Sequence, residues 1–540
     1  MSHARLHAPT EDGAILADSP LDEAPRIVAE NQTRFTGWSH DFQGRTTDRI
    51  RAMTRAAVLA AAREYSGFDP RTSTLILPPS NNPQPSTFNP QPLIVSGHQP
   101  ELFHPGVWLK NFAAHAIARR AGGVPLHLIV DTDTVKQTTV RVPTGGRTSL
   151  SVVHVPLDRW RGEIPFEEYE VGDEAAFASF GDRVRDAMAP LGVRPLAEEF
   201  WPRAVAARDT TNLSERISRA RREQEAAWRC RSLELPISRL CQTESFFWFA
   251  SHVLAQLDRF AAVYNGALDE YRRAHRIRSR NHPVPSLGRD GDWRETPFRV
   301  WTSQRPRRRA LFVRQLGCEM ELTDRDGWTA RLPLAPDREA CCAVEVLADL
   351  TRRGIKLRTR ALTTTIFTRL CLADVFIHGL GGAIYDEVAD EVIRRFFNFE
   401  PPQFLTLTGT LHLPIEPHTG ASDESRRLVR LRRDLNFNPD RHLNVEDRAR
   451  PELAALIQEK WQLIRNRAAS RRERHDRFNR IRQLNGTLSI AVADRAAETD
   501  ERLRTLAAEL DANAILECRD WAFCVYPEDR LREFLWPIIG

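Results

Sequence analysis

The clearest pattern of apolar and polar positions lies between Ile94 and Asp133. A short apolar run ends at Gly97, a loop containing glycine and proline follows, and an alanine-rich segment then has the spacing of a helix. A second apolar run begins at Leu126 and ends in acidic residues. Continuous apolar runs on both sides of a helical segment are typical of buried parallel strands. We therefore predict a strand–helix–strand unit with polar residues at its strand ends.

Helical and alternating patterns extend the prediction on both sides of this unit. Residues 47–65 have the apolar spacing of a helix, and the proline-, asparagine- and serine-rich segment 78–92 predicts a loop. Residues 148–156 alternate like a strand, which we expect to continue the sheet, and helical patterns dominate residues 173–271. Short alternating runs and turn residues over 282–334 predict a small β region.

A second α/β block is predicted over residues 357–413. It contains an apolar helix or strand at 361–372 and a strand at 374–377. A glycine-rich loop at 378–386 then leads into another helix.

The C-terminal part predicts a helix from Pro451 to about Leu484, which Asn485-Gly486 interrupts. A return helix over 488–510 would complete an antiparallel hairpin, that is, a short coiled coil. Residues 514–526 alternate enough to predict a closing strand.

These elements predict an α/β fold with a Rossmann-like core, an inserted helical and small β region, and a C-terminal antiparallel helical hairpin. The predicted segments are an N-terminal polar segment and helix (1–77), the first half of the core (78–160), the helical region with a small β subdomain (161–345), the second half of the core (346–440), and the hairpin with its closing strand (441–540).

Composition narrows the class of protein. The 540 residues are 41% hydrophobic, which supports a sizeable core, and the net charge of +5 is small for this length. We therefore do not expect nucleic acid as a partner, since it would normally require a stronger and clustered basic excess. Residues 1–32 are polar, unlike a signal peptide, and no apolar run approaches the roughly 20 residues of a membrane span. The eight cysteines show no zinc-type spacing, and we expect mostly buried free thiols in the cytoplasm.

The first candidate site follows the first predicted strand. A glycine at the strand end lets backbone N–H groups approach a ligand, and the next helix N-terminus favours an anion. Positive charge and hydrogen-bond donors could then come from a histidine and a lysine on that helix. The structural alternative is a tight turn whose histidines are hydrogen-bonded within the protein. The residues of this site are Gly97, His98, Gln99, His104, Gly106 and Lys110.

Asp131 and Asp133 form a second candidate site at the end of the next strand, and both sets should meet at one edge of the sheet. The two carboxylates could hold Mg²⁺ or act as acid and base. Strand-end aspartates are also common helix caps and turn formers, so a purely structural role remains open.

The third candidate site is the glycine-rich segment after the strand at 374–377. Its glycines would let the chain pass close to a phosphate or sugar, and its tyrosine and aspartate could donate and accept hydrogen bonds. A sharp strand-to-helix turn is the structural alternative. Arg358 and Arg360, just upstream, could form an anion clamp. The residues of the segment are His378, Gly379, Gly381, Gly382, Tyr385 and Asp386.

A dense basic run covers Arg465 to Arg482. We interpret it as the solvated face of the helical hairpin, because acidic residues return in the following helix. A site for an anion or RNA is the alternative.

From about residue 90 to the end, the chain resembles the cysteine-adding enzymes of bacillithiol biosynthesis, the BshC family. Members of that family have a Gly-Gln-Gln loop, a Gly-Pro turn, a helix lysine and a strand ending in Glu-Asp-His-Asp. The matching segments here, in the same order, are Gly97-His98-Gln99, Pro105-Gly106, Lys110 and Val130-Asp131-Thr132-Asp133.

Later parts of the chain are similar to the same family. The family has a His-Pro turn, a Leu-Arg-Pro segment and a Gly-Gly-Pro-Gly-Glu-x-x-Tyr loop before a coiled-coil domain. The corresponding segments are His282-Pro283, Leu357-Arg358-Thr359 and the glycines of 379–382 with Tyr385. Val130, Thr132 and Ala383 depart from the family pattern.

The resemblance implies a ligase or transferase that acts on a small anionic metabolite, with cysteine added to an amino-sugar conjugate as one form. In that hypothesis Lys110 and His104 bind an anionic group, Gln99 and His98 position the acyl donor, and the two aspartates serve a metal or the amine. The segment 379–386 would close the pocket.

The cofactor is not defined by these residues: a nucleotide and Mg²⁺ are both compatible with them. We expect a small-molecule substrate, no membrane partner, and a homodimer formed through the C-terminal helices. Two other classes of function remain open. One is a non-catalytic small-molecule or nucleotide binder that retains the fold. The other is an interaction protein that uses the helical hairpin.

Overall fold

The computed structural model describes residues 6–67, 91–147, 149–279 and 281–539, apart from the side chain of Tyr385. It is a mixed α/β structure in which 53% of residues are helical. The predicted loop at 78–92 lies outside the described residues up to residue 90. The chain divides into two units. The larger comprises residues 1–142, 154–412 and 519–540, and the smaller comprises residues 143–153 and 413–518. The five predicted segments remain a prediction.

The bounds of the strands follow in chain order. They are β1 (Ile15–Ala17), β2 (Leu93–His98), β3 (Val124–Ile129), β4 (Thr139–Thr144), β5 (Ser151–Pro156), β6 (Leu233–Pro236), β7 (Arg289–Asp290), β8 (Trp293–Thr302), β9 (Arg305–Leu316), β10 (Glu319–Thr323), β11 (Thr329–Leu332), β12 (Ile355–Thr359), β13 (Val375–His378) and β14 (Leu405–Gly409).

The bounds of the helices follow in the same way. They are α1 (Ala24–Thr36), α2 (Thr47–Ser66), α3 (Pro105–Ala121), α4 (Glu174–Met188), α5 (Ala197–Ala206), α6 (Leu213–Ala227), α7 (Ile237–Leu240), α8 (Glu244–Ala255), α9 (Leu257–Ala274), α10 (Cys341–Arg352), α11 (Ala361–Cys371), α12 (Leu380–Val392), α13 (Ala421–Phe437), α14 (Val445–Ala449), α15 (Pro451–Arg465), α16 (Arg471–Ile490), α17 (Ala493–Leu516) and α18 (Glu528–Ile539).

The central sheet of the larger unit has the order β1-β14-β13-β2-β3-β6. Its last five strands are parallel, and β1 pairs antiparallel with β14. Along the chain, β3 and β6 are added on one side of β2, whereas β13 and β14 are added on the other. The direction of strand addition therefore reverses between β2 and β13. In open α/β sheets, ligands bind at the carboxyl ends of the strands beside such a reversal.

The predicted strand–helix–strand unit is confirmed. β2 and β3 are buried along most of their length, and Val95 pairs with Leu126 in parallel register. Pro105 occupies the first turn of α3, where its missing N–H costs nothing, and Gly122 ends the helix with a positive φ of 63°. The helix predicted over 47–65 is also confirmed, as α2.

The amino ends of β2 and β13 are held together by Asp374. Its carboxylate accepts hydrogen bonds from the backbone N–H of Leu93 (2.7 Å), from Arg51 (2.7 Å) and from Arg55 (2.8 Å). The backbone N–H of Asp374 in turn donates to the carbonyl of Leu93 (2.9 Å). Both arginines belong to α2, so one buried carboxylate connects that helix with two strands.

An antiparallel sheet of order β11-β10-β9-β8-β12 forms the predicted small β region, and β7 pairs with β8. β12 pairs with β8, with Arg358 opposite Arg299. Arg358 therefore belongs to the antiparallel sheet and not to the parallel sheet that contains β13.

Two predictions about the central sheet are wrong. The strand expected at 148–156 is present as β5, but it pairs with β4 in a separate two-stranded sheet. The edge strand next to β3 is instead β6, which lies inside the segment 173–271 that we expected to be helical. Four residues are too few to show a period, so β6 had no recognisable pattern.

The glycine-rich loop expected at 378–386 is also wrong. Gly379 precedes α12 directly, and Gly381 and Gly382 lie within its first turn. A Cβ on Gly382 would lie 2.6 Å from Nδ1 of His378. The glycine therefore allows close packing of the helix start on the preceding strand, as in the structural alternative.

The smaller unit consists mainly of helices. Its apolar cluster contains Leu435, Leu443, Leu488 and Val492. Helix α17 packs mainly against α13, and α15 packs against α16. This differs from the predicted hairpin, in which the helix ending near Leu484 packs against the helix over 488–510. The predicted break at Asn485-Gly486 is wrong, because α16 continues to Ile490.

The asparagine of that expected break has a tertiary role. Asn485 donates a hydrogen bond to the carbonyl of Phe437 (2.9 Å) and is largely buried. This contact outweighs the local preference of an Asn-Gly pair for a turn. The closing strand expected at 514–526 is wrong as well: α17 runs to Leu516, and residues 523–525 form a 3₁₀ turn.

Replacing Asp374 by alanine should be strongly destabilising. Arg51 and Arg55, with side chains that are 11% and 7% exposed, would lose their shared carboxylate. We expect a loss of about 3–5 kcal/mol in the free energy of unfolding, measured by urea denaturation, because buried charges would be left unpaired. Asp349→Ala, which removes an exposed helical ion pair with Arg352, is the control and should change stability by less than about 1 kcal/mol. Equal effects of the two variants would contradict the role of Asp374.

Gly106→Ala tests the packing of α3 on β14. A Cβ at this position would lie 2.2 Å from the carbonyl oxygen of Gly409, so backbone must move. We expect a loss of about 1–3 kcal/mol in the free energy of unfolding. Gly266→Ala in α9, where a Cβ meets nothing within 4 Å, should instead gain about 0.5–1 kcal/mol. A stable Gly106→Ala protein would show that the helix and the strand are not in close contact.

Candidate functional site

The carboxyl ends of β2 and β3 bring the first two candidate sites together. Nε2 of Gln99 donates a hydrogen bond to Oδ2 of Asp133 (3.1 Å), and the backbone N–H of Val130 donates to the carbonyl of His98 (2.9 Å). The prediction that the two sets meet at one edge of the sheet is confirmed.

Asp133 also connects this edge with the antiparallel sheet. Its carboxylate accepts hydrogen bonds from Arg308, on β9, and from the backbone N–H of Thr134 (2.9 Å). Burial raises the pKa of Asp133, but the charge of Arg308 and the hydrogen bond from Gln99 outweigh burial, so the pKa lies below its ordinary value. Asp133 is therefore ionised at neutral pH.

The pKa of Asp131, in contrast, lies above its ordinary value. It is 4% exposed, and its carboxyl group accepts hydrogen bonds from the backbone N–H (2.9 Å) and the hydroxyl of Ser238, just after β6. Burial, together with the nearby charge of Glu167, raises the pKa of Asp131 to about 7. A carboxyl group with this pKa can accept or release a proton at neutral pH.

Glu167 pairs with Arg358, which is 1% exposed. Nε and Nη2 of the arginine donate to the two carboxylate oxygens at 2.8 and 2.9 Å. Because its guanidinium group already binds both carboxylate oxygens of Glu167, Arg358 does not form the predicted anion clamp. Arg360 pairs with Glu295 at 3.2 Å, and its Nη1 is buried with no hydrogen-bond partner in the described residues.

Lys110, on α3, lies next to the carboxyl end of β2. It is buried, its ammonium group donates to the carbonyl of Gly97 (2.9 Å), and burial lowers its pKa to about 8. Burial, followed by the charge of Lys110, lowers the pKa of His98 to about 3. His98 is therefore neutral, with Nδ1 3.2 Å from the carbonyl oxygen of Gln99.

His104 does not supply the expected positive charge. It precedes α3 as the N-cap residue, and burial together with the charge of Arg519 lowers its pKa to about 4. Its Nδ1 is buried without a hydrogen-bond partner in the described residues. Gly106 permits the close approach of α3 to Gly409.

The third candidate site begins at the end of β13, which pairs with β2. His378 stacks on Phe376 with 4.2 Å between ring centroids, and the ring of Phe376 lies 3.8 Å from a Cβ built on Gly97. Because successive residues of a strand point to opposite faces, His378 and His98 project from opposite faces of the sheet. The closure of a pocket by residues 379–386 stays a prediction.

Asp386 is part of a buried charge cluster on that second face. Its Oδ2 lies 2.5 Å from Nε2 of His378 and 3.4 Å from Nη1 of Arg369. Asp386 is fully buried, so it is not available to a ligand in this structure. The side chain of Tyr385 lies outside the described part of the chain.

Sequence reasoning missed a groove that opens beside Asp133. Thr134, the next residue, lines it together with the turn between β8 and β9 and the segment 161–164. We call it the arginine groove, after the arginines in its wall: Arg161, Arg299, Arg305, Arg307, Arg308 and Arg309. The cluster Arg305-Pro-Arg-Arg-Arg309 was a visible signal in the sequence, but nothing local connected it to Asp133.

A Mg²⁺ site at the two aspartates does not fit this geometry. The carboxylate oxygens of Asp131 and Asp133 already accept hydrogen bonds from Ser238, Gln99, Thr134 and Arg308. Across the described residues, no group of three or more His, Cys, Asp or Glu side chains is arranged to hold a metal ion. The predicted metal role of the pair is therefore not supported by this arrangement.

The chain matches no known protein-family model and no curated protein sequence. Among the helices of the described residues, none combines the length and the apolarity that a membrane crossing requires.

Asp131→Asn should change the pH dependence of stability. The pKa of Asp131 in the folded state, about 7, lies above the ordinary 3.8. The folded state retains the proton between these pH values, whereas the unfolded state releases it. The stabilisation by the neutral carboxyl is therefore complete below pH 3.8 and is lost as pH rises towards 7. Relative to wild type, the variant should gain up to about 4 kcal/mol over this window.

Urea denaturation at several pH values between about 4 and 8 measures this difference. Asp337→Asn, at an exposed position, is the matched control and should show a constant difference from wild type. A constant difference for Asp131→Asn as well would mean that its pKa is not raised.

Proposed function

We propose that this protein is an enzyme of the ligase or transferase type that acts on a small anionic metabolite. The observation that carries the proposal is the junction of Gln99, Asp133 and Arg308, where the carboxyl edge of the parallel sheet meets the arginine groove. The groove would hold the anionic group, and the sheet edge would supply proton transfer.

A Rossmann-like interpretation of the parallel strands is part of the proposal. It is supported by the reversal of strand addition between β2 and β13, and by the position of the candidate residues at the carboxyl ends of those strands. Fold alone does not define a reaction, whereas the side chains at the site do.

Transfer of an acyl group to an amine is the reaction that these residues suit. In that step the amine nitrogen bonds to the acyl carbon, the leaving group of an activated donor departs with its electron pair, and the nitrogen loses a proton. Asp131, with a pKa of about 7, would accept that proton. Addition of cysteine to an amino-sugar conjugate is the specific form implied by the resemblance to the BshC family.

The roles of the other residues change with the geometry. Arginines of the groove replace Lys110 and His104 as the anion-binding groups, because the lysine donates to the carbonyl of Gly97 and the histidine is neutral. Lys110 would instead position the end of β2 through the carbonyl of Gly97. Gln99 would orient Asp133 through their hydrogen bond.

Cytoplasmic localisation and self-association remain part of the proposal. All eight cysteines are free, which suits a reducing compartment, although only four of them are buried, fewer than expected. Large apolar side chains on the helices of the smaller unit support a homodimer. They are Val429 (56% exposed), Phe437 (55%), Phe478 (61%) and Ile490 (74%).

A mass-spectrometric turnover assay tests the proposed reaction. Purified protein is given cysteine, glucosaminyl-malate, ATP and Mg²⁺ together and with each one omitted. We expect a cysteinyl conjugate whose rate of formation falls by about 10²-fold or more in Asp131→Asn, because its proton acceptor is lost. Lys110→Ala should also lower the rate, and Asp337→Asn should leave it unchanged.

Two results would contradict this proposal. An unchanged rate in a folded Asp131→Asn protein would remove the proton-transfer role. Binding of these compounds by wild type without any conjugate would favour the alternative, a small-molecule binder that retains the fold.

A further inference from the structure

His378 ends β13, at the point where the direction of strand addition reverses. The neighbouring strand β2 runs parallel to β13, with Ser96 opposite Ile377. Ligands of open α/β sheets bind at the carboxyl ends of strands beside such a reversal. His378 therefore lies where a substrate of this sheet is expected, although its side chain is only 6% exposed.

One nitrogen of the His378 ring faces a carboxylate. Oδ2 of Asp386 lies 2.5 Å from Nε2, and it approaches obliquely to the ring N–H, so the contact is electrostatic and not a linear hydrogen bond. Nη1 of Arg369 lies 3.4 Å from the same oxygen and favours the ionised carboxylate. Two lone pairs would repel each other at 2.5 Å, so Nε2 carries a proton.

The other nitrogen, Nδ1, has no such neighbour. The ring of His378 stacks on Phe376 and meets the ring of Phe404 edge-on at 5.4 Å, and neither contact uses a ring nitrogen. Among the described residues, none is hydrogen-bonded to Nδ1. A Cβ on Gly382 would lie 2.6 Å from Nδ1, so this nitrogen points to a place where the chain has no side chain. With the proton on Nε2, a neutral ring has its lone pair on Nδ1.

Packing does not explain the other two glycines at the start of α12. Gly379 has an ordinary φ of −84°, and a Cβ built on Gly379 or Gly381 would meet nothing within 4 Å. Glycine inside a helix costs about 0.5–1 kcal/mol relative to alanine, so Gly381 is unfavourable for the helix itself. Glycines also allow a ligand to approach the backbone closely. The two residues therefore leave room for a small molecule beside His378.

Asp386 acts on a ligand only through His378, because it is itself fully buried. A carboxylate beside one imidazole nitrogen fixes the tautomer, and it stabilises the imidazolium that forms when the other nitrogen takes a proton. Arg369, on α11, and Asp390, on α12, also belong to this charge cluster, and Nη2 of the arginine lies 2.7 Å from Asp390. The arrangement allows His378 to take up and release a proton at Nδ1.

We propose that His378 is a second proton-transfer group, which exchanges a proton with the substrate through Nδ1 while Asp386 holds its ring at Nε2. This role rests on the proposed function. As the leaving group of the acyl donor departs with its electron pair, it takes the proton from Nδ1 of the imidazolium, and Asp131 takes the proton that the amine loses. Solvent then returns a proton to His378 and removes one from Asp131.

Labelling of the full chain with diethyl pyrocarbonate tests whether Nδ1 is open to a small molecule. The reagent acylates an imidazole nitrogen that has a free lone pair, and peptide mass spectrometry locates the label. We expect His378 to be labelled. His127, which is 2% exposed and has Nδ1 3.1 Å from the hydroxyl of Ser96, is the internal comparison and should stay unlabelled. An unlabelled His378 would overturn the proposal.

Gly382→Ala tests Nδ1 without removing a polar group. The added Cβ would lie 2.6 Å from Nδ1 and displace the ring. Labelling of His378 should therefore be lost, and kcat in the turnover assay should fall by about 10²-fold. Gly266→Ala, in a helix where the Cβ meets nothing within 4 Å, is the control and should keep both properties. Wild-type labelling of His378 in Gly382→Ala would show that Nδ1 does not point to this place.

Asp386→Asn tests the positioning carboxylate. We expect kcat to fall by about 10²-fold with little change in KM. The alkaline limb of the pH–rate profile should move to lower pH, because the imidazolium loses the neighbouring carboxylate. Asp390→Asn, which removes a carboxylate from the same arginine, is the matched control and should keep the wild-type profile. Equal effects of the two variants would mean that Asp386 only neutralises Arg369, and would overturn the proposal.

The labelling experiment separates this proposal from the proposed function, because it needs no substrate. A labelled His378 in a protein without turnover would support the histidine as a reactive group for a different substrate. Turnover in a protein whose His378 stays unlabelled would remove the role of His378 and leave the proposed reaction intact.

Discussion

The buried carboxylate of Asp374 is the contact on which the central sheet depends most directly. It binds the backbone of Leu93 at the start of β2 and the guanidinium groups of Arg51 and Arg55 on α2. Asp374 also directly precedes β13. Its side chain therefore fixes where the two neighbouring parallel strands begin relative to each other. This relative position decides which residues of the two strands lie at the carboxyl edge, where the candidate site is.

Burial separates two kinds of basic residue around that edge. Imidazole loses its proton when it is desolvated, so His98 and His104 are neutral. Guanidinium keeps its proton even when it is buried, so arginine, unlike histidine, stays cationic in such surroundings. In the proposed function, the attraction for an anion would therefore come from the antiparallel sheet, while Asp131 at the parallel sheet edge provides a carboxyl group that can exchange a proton near pH 7.

Predictions from local composition were wrong where a packing contact favoured a different structure. The glycines of 379–382 are typical of a loop, yet a helix begins at Leu380 because Gly382 lets it pack directly on His378. Asn485-Gly486 is typical of a turn, yet the helix continues because Asn485 reaches the carbonyl of Phe437. In both places a contact with a distant or preceding residue stabilises the helix by more than the glycine costs.

The sequence by itself determined the strand–helix–strand unit and the meeting of Gln99 with Asp133. Apolar runs of strand length define buried strands, and parallel strands bring their carboxyl ends to one edge whatever else surrounds them. Only the tertiary structure decided that Arg299 and Arg308 stand beside that edge. Their place depends on how β8, β9 and β12 pair across long separations in the chain, and alternation within a strand does not specify its partner. The tertiary structure also decided the raised pKa of Asp131, because this pKa follows from burial and from the charge of Glu167, a residue brought to it by folding.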